Sequence, residues 1–574
     1  MHHYCLPRAL LITVLLTQAA VQPALAASAD STSIMTTSVH MVDATASHST
    51  VSAQVDDGDL GDPALQRGAA RIGLIIVEVD NVFDANDPKE NGVLYRAANA
   101  LHIKSRHKTI LTQLLFKKGD IYNRHALDES ARNLRAHSYL NEAEIKPVQY
   151  HPDDNTVDVA VRVHDVWTFN PGISYGRSGG ADHSGVQLAE GNLLGYGKSL
   201  SLQSDRSTDR TQYGVSYADP NLLGSRWQLD TNYIHASDGG TSQFSIAHPF
   251  YSLDTRWSGS VDGLRDQRID RRYQQAVVVD QYQTTHESYG GKLGWSRGLQ
   301  HGWVQRWYTG YRVDHLHYAP DPVQGTLQLP GDQHLAYPWV GFSWLEDRYE
   351  VTRNRDQISR TEDVYYGRAL YIQAGLSATA FGSDVQSELV QLTLQDATHI
   401  RDYQSIFASI AVNGIHQDNA WRNTLVTTII RYDLRPKSFS LFTVKLTGDY
   451  GIKLDPSLPL YLGDDDGGLR GYPLHYRSGA HREVLNIEQR FYTRWQLLRL
   501  LTVGAAAFVD VGHIGGGGNN SDGSHTLSDV GVGLRFGSIR SSKGQVFHIN
   551  AAYPLNAEGN ARKLQLQVVT KTSF

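Results

Sequence analysis

The stretches LRGY, residues 469–472, and FVDVG, residues 508–512, decide how this 574-residue chain is expected to fold. Arg470 lies between an aliphatic residue and a glycine, in a segment rich in aspartate and glycine. Asp510 lies in the middle of an otherwise apolar strand pattern, where a charge is costly unless it is paired or reaches water. We therefore expect Arg470 and Asp510 to form an ion pair inside a pore.

Composition and the N-terminus indicate an exported, β-rich protein. The chain has 30 Tyr and 52 Gly but 3 Met, and its net charge of −6 gives no reason to expect a nucleic-acid partner. Residues 1–26 have the pattern of a secretory signal peptide, because Arg8 precedes an apolar run over residues 9–20 and a small-residue cleavage site ends at Ala26. The single cysteine, Cys5, lies in this segment, so we expect no disulfide and no thiolate metal site in the mature protein.

Two further parts precede the long strand-rich region. Residues 27–70 are rich in Ser, Thr, Ala and Asp and poor in large apolar residues, so we expect a disordered linker. Residues 71–165 show the order β-α-α-β-β of a small α/β domain. The clearest helix covers residues 125–138, and valines alternate with polar residues over residues 156–163, as in a half-buried strand.

From residue 166 to residue 574, strand follows strand with turn residues between. The last strand is the clearest, since Leu564, Leu566, Val568 and Phe574 share one face and polar residues share the other. Alternating segments of about 10 residues are typical of a transmembrane antiparallel β-barrel with lipid outside and water inside. A water-soluble β-sandwich alternates too, but the length of this part and its many polar inner faces favour the barrel. Our count of such strands reaches about 20.

Residues 166–574 also resemble the BamA/TamA superfamily of outer-membrane assembly and translocation barrels, the bacterial surface antigen family. The resemblance rests on an ordered series of motifs: GNLLGYG (191–197), ADPNLLGSR (218–226), HPFYSL (248–253), LRGY, NIEQRF (486–491), FVDVG, GVGLRF (531–536), HINAAYPL (548–555) and the terminal Phe574. It implies a barrel of 16 strands, and we take that figure over our own count. Residues 71–165 similarly resemble a single periplasmic POTRA domain, marked by LLFKKGD (114–120) and LDESARNLR (127–135).

The resemblance also assigns roles to individual residues. In this family an arginine of a long extracellular loop folds into the lumen and pairs with acids on inner strands. Here the loop latch would comprise Arg470, Gly471 and Tyr472, with Asp510 as the first partner and Glu488 as the second. An arginine fork suits this role because it binds carboxylates bidentately. A solvated loop arginine without a fixed partner is the alternative.

One departure from the family pattern concerns the inner charge network. The family often has aspartate where this chain has Asn550, so we expect a thinner network here. A second feature is the barrel seam, where the first strand, containing Ser174, meets the last strand, ending at Phe574. If this seam is weak, its exposed edges can pair with a client strand.

The implied function is insertion of proteins into the outer membrane or their translocation across it, with the POTRA domain in the periplasm. The partners would be unfolded outer-membrane or secreted proteins, outer-membrane lipid and periplasmic accessory proteins. A two-partner-type exporter is an alternative, although such exporters usually carry two POTRA domains and a plug helix, and residues 27–70 show no amphipathic helix. A passive porin or surface receptor is an alternative of another class.

Three other features of the sequence do not indicate a catalytic or metal site. GISYG, residues 172–176, matches G-x-S-x-G, but Ser174 lies in alternating strand and not at the strand-to-helix turn of a nucleophile elbow. The 25 histidines show no metal-ligand spacing. Residues 464–466 are three aspartates, but the other oxygen ligands of a calcium loop are missing. We expect no enzymatic activity, no cofactor and no metal.

Overall fold

The computed structural model describes residues 61–178, 181–323, 326, 329–455, 460–463, 468–497, 500–516, 523–542, 546–558, 561 and 563–571. The predicted signal peptide, most of the predicted linker, the aspartate trio and Phe574 lie outside the described residues. Within the described ranges, no helix is both long and apolar enough to cross a membrane.

The N-terminal domain is a three-stranded sheet covered by helices. Its elements are α1 (Asp62–Arg67), β1 (Arg71–Asp80), α2 (Val93–Leu101), α3 (His107–Gln113), α4 (Arg124–Ala136), β2 (Leu140–His151) and β3 (Thr156–Asp165). The sheet order is β1-β3-β2, with β1 parallel and β2 antiparallel to β3. Asn123 caps α4, because its side chain accepts a hydrogen bond from the backbone N–H of His125 at 3.0 Å.

The domain begins earlier than the sequence pattern indicates. Helix α1 lies within the stretch predicted as linker, and both Leu65 and Ala70 are buried in the domain core. A helix this short, with a single large apolar residue, cannot be recognised in a segment that is otherwise rich in Ser and Ala. The tertiary contacts of Leu65, rather than local composition, order this turn.

Twenty strands of the described residues close an antiparallel barrel. They are β4 (Phe169–Ser178), β5 (Ala181–Glu190), β6 (Ser199–Arg206), β7 (Thr211–Asp219), β8 (Gln228–Ala236), β9 (Gly239–His248), β10 (Trp257–Gln274), β11 (Val277–Gln300), β12 (Trp303–Pro320), β13 (Gln333–Glu346), β16 (Ala369–Ser377), β17 (Ser387–Arg401), β18 (Gln404–Gln417), β19 (Ala420–Lys437), β20 (Ser440–Ile452), β23 (His481–Leu497), β24 (Leu501–Gly515), β25 (His525–Gly537), β26 (Val546–Pro554) and β27 (Gln565–Lys571). Two small hairpins lie outside the barrel sheet: β14 (Tyr349–Arg353) with β15 (Thr361–Tyr365), and β21 (Leu460–Leu462) with β22 (Arg477–Gly479).

The strand number of 16 taken from the resemblance is therefore wrong, and the count of about 20 from alternation is right. The family motifs fall into two groups, one ending at residue 253 and the other starting at residue 469. The strands from β10 to β20 lie between these groups, so the motifs do not report how many strands that middle part contains.

The two faces of the barrel wall have opposite chemistry. On β25 the apolar side chains of Val530, Val532 and Leu534 are exposed on the outside, whereas Asp529 and Arg535 are buried. A water-soluble sandwich would bury the apolar face and expose the polar one. The observed arrangement is that of a transmembrane barrel with a polar interior.

The barrel has two unlike ends, and we call the end next to the N-terminal domain proximal and the opposite end distal. Strand β11 has 24 residues, more than twice the number needed to cross a membrane at the usual tilt. The hairpin that it forms with β10 therefore extends past the distal membrane surface, and β12 is paired with β11 toward the same end. At the distal tip of β10 the backbone N–H of Tyr273 donates to the Tyr461 hydroxyl at 3.2 Å, and its ring lies 4.3 Å from that of His475. Residues 453–480, between β20 and β23, contain both partners and are called the latch loop.

The N-terminal domain docks directly on the proximal turns. Gly195, in the turn before β6, accepts hydrogen bonds from the backbone N–H of Arg106 at 3.0 Å and the hydroxyl of Thr109 at 2.9 Å. Its φ of +77° and the 2.4 Å from a built Cβ to the Lys104 carbonyl oxygen require glycine there. A second contact joins the Arg226 guanidinium to the Leu114 carbonyl oxygen at 2.7 Å. The domain and the barrel therefore share a specific interface.

A pH-sensitive contact belongs to this interface. His125 of α4 lies 2.6 Å from the Asp347 carboxylate, just after β13, with Glu129 and Arg132 nearby. The hydrogen bond to Asp347 raises the pKa of His125 above its ordinary value of 6.5, and burial opposes the shift. Docking therefore favours protonated His125, so this contribution is present below pH 6.5 and is lost as the pH rises through the raised pKa.

We expect the domain to separate from the barrel more readily at pH 9 than at pH 6. Spin labels on cysteines replacing the exposed residues Lys146 and Asp402 would report this as a broader distance distribution by pulsed EPR. In a His125→Gln background the distribution should no longer change with pH. The same pH response in that variant would show that another group controls docking.

Candidate functional site

The site is an arginine held by two carboxylates inside the barrel. Arg470 of the latch loop is 9% exposed. Its Nε and Nη2 donate to the two oxygens of Asp510, each at 2.8 Å, and its Nη1 donates to Glu488 at 2.5 Å. The guanidinium carbon lies 3.4 Å from the centroid of the Phe508 ring. The fork and the stacked ring together fix the cation in one orientation.

Strand register places these partners. Glu488 on β23 is directly opposite Phe508 on β24, and Asn486 is directly opposite Asp510. The Asn486 amide donates to Asp510 at 2.8 Å and to the carbonyl oxygen of Gly468 at 2.9 Å. Residues two apart on a strand share a face, so the lumenal face presents both acids within the reach of one guanidinium.

Two glycines let the loop backbone approach the wall. Gly468 has a φ of +89°, which other residues rarely adopt. A Cβ built on Gly471 would lie 2.6 Å from the Cβ of Asp529. The backbone N–H of Gly471 donates to the Asp529 carboxylate at 3.0 Å, so a larger residue would break this contact.

The residues on either side of Arg470 anchor the loop by packing. The Tyr472 hydroxyl lies 2.6 Å from the Asn556 side-chain oxygen and 3.0 Å from the Ser528 carbonyl oxygen. Leu469 and Tyr472 have no exposed surface. They belong to an apolar cluster that joins the loop to the wall and includes Leu462, Tyr476, Val484, Ile514 and Leu527. The apolar anchors exclude water from around the ion pair, which strengthens it.

The structure thus brings together the predicted residues Arg470, Asp510 and Glu488, with Gly471 and Tyr472 beside them. That they act as a latch stays a prediction. Asp529, which is opposite Asp510 on β25 and is completely buried, was not predicted as a member of the site. The signal was present, because Asp529, like Asp510, interrupts an alternating apolar strand.

Glu488 also connects the latch to the rest of the lumen. One of its oxygens accepts a hydrogen bond from Arg490 at 2.9 Å, and Arg535 lies 3.9 Å away. Arg490 in turn donates to Asp356, in the tip of hairpin β14–β15, at 3.0 Å. Glu488 is therefore shared by three arginines, and removing it would leave all three with one partner fewer.

Asn550 is a neutral member of the inner network. Its side-chain oxygen accepts a hydrogen bond from Arg535 at 2.6 Å, and its amide donates to Gln567 on the last strand. An amide can do both because it has a donor and an acceptor. Asn550 thus forms a neutral bridge to the last strand and leaves the carboxylates around Arg470 in place.

The barrel closes between β27 and β4. Among the described residues, one pair, Val568 with Arg177, is in register across this seam, compared with seven pairs between β26 and β27 and ten between β4 and β5. Ser174 lies on β4, opposite Gly185, and the structure describes its backbone only. Phe574 lies outside the described residues, so its predicted place at the seam stays a prediction.

The described residues show no group of three or more metal-ligating side chains. Ser174 is within a strand whose partner strand follows directly, so its backbone is not that of a nucleophile elbow. The chemistry of the site is therefore ion pairing and hydrogen bonding that hold a loop.

The comparisons with known proteins include a family match to the N-terminal domain and structural similarities that span most of the chain. The family model POTRA, "Surface antigen variable number repeat", matches residues 103–165, which run from the end of α2 to the end of β3. No curated protein sequence matches the chain. Among solved structures, the chain is similar to BamA from Haemophilus ducreyi lacking POTRA domains 1–3, at 14% identity and a TM-score of 0.36, covering 87% of this chain and 85% of that one.

Two further structures are similar. For CdiB from Acinetobacter baumannii the identity is 13%, the TM-score 0.42 and the coverage 87% of this chain and 73% of that one. For CdiB from Escherichia coli the values are 12%, 0.44, 88% and 76%. Residues 103–165 therefore match a POTRA domain, and this domain is followed by a closed antiparallel β-barrel. This is the combination that the resemblance to the BamA/TamA superfamily predicts.

Proposed function

We propose that the protein works in the bacterial outer membrane, inserting client proteins into it or translocating them across it, with the POTRA domain in the periplasm. The observation that carries the proposal is the sparsely registered seam between β4 and β27. A weakly paired seam presents two strand edges, and an unfolded client strand can hydrogen-bond to such an edge. The clients would be unfolded outer-membrane or secreted proteins.

The POTRA domain would deliver the client. Its sheet order β1-β3-β2 leaves β1 and β2 as edges to which an extended segment can add. The domain contacts the proximal turns between β5 and β6 and between β7 and β8, near the start of the barrel sheet, through Gly195 and Arg226. A client held at this domain would therefore be close to the seam. Periplasmic accessory proteins and outer-membrane lipid are the other proposed partners.

Two alternative functions are less well supported. A passive porin needs a water-filled lumen, whereas here the latch loop and the tip of hairpin β14–β15 occupy it. A two-partner-type exporter is compatible with the barrel. The sequence supports one POTRA domain, whereas such exporters usually have two.

A disulfide across the seam would test lateral opening. Arg177→Cys with Val568→Cys joins residues that are opposite each other on antiparallel strands, a spacing that suits a disulfide. We expect client insertion to stop under oxidising conditions and to recover on reduction. The matched control is Leu394→Cys with Ile410→Cys, a registered pair on β17 and β18, which should have no effect. Normal insertion with the seam locked would contradict the proposal.

The latch can be tested separately. Arg470→Ala leaves Asp510 and Glu488 buried without their shared cation, so we expect a loss of roughly 3–5 kcal/mol in the free energy of unfolding. Arg470→Lys keeps the charge but loses the fork, and should lose less. Both would be measured by urea titration of the heat-modifiable gel shift, together with client insertion. A folded Arg470→Ala protein with normal insertion would show that the pair is a scaffold only.

Depletion of the protein separates the three functions. An outer-membrane proteome that loses many barrel proteins is the outcome we expect for an assembly factor. Loss of one secreted protein would favour the exporter. An unchanged proteome, together with a steady ionic conductance of the purified protein, would favour the passive pore and contradict our proposal.

A further inference from the structure

The connection between β13 and β16, residues 347–368, differs from the other proximal connections. The described turns between β11 and β12 and between β17 and β18 are two residues long, whereas this segment builds the separate hairpin β14–β15. Its tip, residues 354–360, has the sequence NRDQISR. Although the tip is a polar loop, Arg355, Asp356, Ile358 and Arg360 are each at most 2% exposed. Something other than solvent therefore surrounds it.

The lumenal wall surrounds the tip. Asp356 accepts hydrogen bonds from Arg431 on β19 at 3.1 and 3.2 Å, and Arg355 forms an ion pair with Asp433 on the same strand. The Tyr492 hydroxyl of β23 donates to the Arg355 carbonyl oxygen at 2.5 Å. Two strands of the wall, β19 and β23, thus account for part of the burial of the tip, and the apolar contacts of Ile358 add to it.

Ile358 shows how far the tip reaches across the barrel. It packs in a cluster with Leu441, Tyr492, Ala506 and Val546. Val546 belongs to β26, the eighth strand from β16 around a ring of twenty. The segment therefore starts at one side of the proximal mouth and ends close to the opposite side, so that it obstructs the lumen.

The tip also touches the network of the latch. Asp356 accepts from Arg490, Arg490 donates to Glu488, and Glu488 accepts from Arg470. One guanidinium and one carboxylate therefore separate the tip from the latch arginine. A displacement of Asp356 would remove a partner of Arg490 and change the field at Glu488.

The base of the hairpin is attached to helix α4 of the POTRA domain. Arg135 Nε donates to Asp363 at 2.8 Å, and the Arg132 guanidinium lies 3.9 Å from the centroid of the Tyr349 ring. His125 adds its contact with Asp347, and Glu142 of β2 pairs with Arg353. The hairpin thus joins the POTRA domain on one side to the lumenal ion network on the other.

We propose that residues 347–368 form a plug that closes the proximal mouth of the barrel and couples the POTRA domain to the latch. When the domain moves away from the barrel, α4 draws the hairpin with it, the tip leaves the lumen and the ion chain to Arg470 loosens. Coupling of this kind is reciprocal, so release of the latch also weakens POTRA docking. The inference does not depend on whether the protein inserts or exports clients.

The chemistry of the tip suits repeated release. Ile358 is its one apolar side chain, and its other contacts include ion pairs, hydrogen bonds and the Arg355 guanidinium over the Phe407 ring. Buried ion pairs nearly break even against their hydration, so a charged tip can leave for water at a moderate cost. A large apolar plug would instead lose its burial energy on release.

A reversible lock on the plug tests the proposal in the full-length protein. A Cβ built on Gly537 would lie 2.9 Å from the Cβ of Ile358, so Gly537→Cys with Ile358→Cys can form a disulfide after a small adjustment. We expect low conductance in planar bilayers and blocked client handling when this pair is oxidised, and recovery of both on reduction. Equal conductance and client handling in the two states would overturn the plug.

Variants that loosen the plug test the coupling. Asp356→Ala, and Arg135→Ala at the POTRA contact, should each raise open-channel occupancy roughly tenfold or more, provided that the unheated protein keeps the gel mobility of a folded barrel. Arg162→Ala, which removes an exposed pair with Glu78 away from the hairpin, is the matched control and should leave the occupancy unchanged. An Arg135→Ala protein that behaves like this control would overturn the coupling. The seam disulfide between Arg177→Cys and Val568→Cys tests client insertion without changing the plug.

Discussion

The latch and the hairpin tip depend on the requirement that the buried guanidinium groups of Arg470, Arg431 and Arg490 have carboxylate partners. Arg470 has no route to water that keeps the latch loop in place, so Asp510 and Glu488 must face it from two adjacent strands. That requirement fixes the register of β23 against β24, because a slip of one residue in either strand would turn the acid of that strand to the lipid. It also fixes where the loop can lie, since Gly468 and Gly471 let its backbone reach the wall at that depth.

The same requirement ties distant parts of the chain together. Arg431 and Arg490 find part of their compensation outside the barrel strands, in Asp356 of the hairpin tip. Wall, loop and hairpin therefore complete one network, and none of the three satisfies its charges alone. Coupling between them requires no mobile apolar core, because an ionic network can be rearranged with small displacements.

Much of this arrangement could be predicted from local patterns. Alternation gave the strands and their number, since each crossing carries its own polar-in, apolar-out signal. The pairing of Arg470 with Asp510 could also be predicted, because both are charges with apolar neighbours in the sequence. The figure of 16 strands failed because the motifs flank the middle of the barrel and do not report how many strands it contains.

The remainder could not be predicted because it depends on contacts across long separations in sequence. The tip residues Arg355 and Asp356 look like an ordinary polar loop, and their partners Asp433 and Arg490 are separated from them by several strands. The burial of Leu65 likewise exists only once the domain core has formed. Asn550 was expected to make the charge network thinner, and the bridge that its neutral amide forms between Arg535 and the last strand could not be predicted from the sequence.

The strand number has a geometric consequence. Barrel diameter rises roughly in proportion to strand number, so twenty strands enclose a cross-section roughly half as large again as that of sixteen. The latch loop is fixed to strands near the C-terminal side and does not grow with the circumference. The hairpin β14–β15 arises from the strands that lie between the two groups of motifs, and its tip occupies part of this cross-section. The stretch from β10 to β20 thus supplies both nine strands of the wall and the hairpin that fills part of its interior.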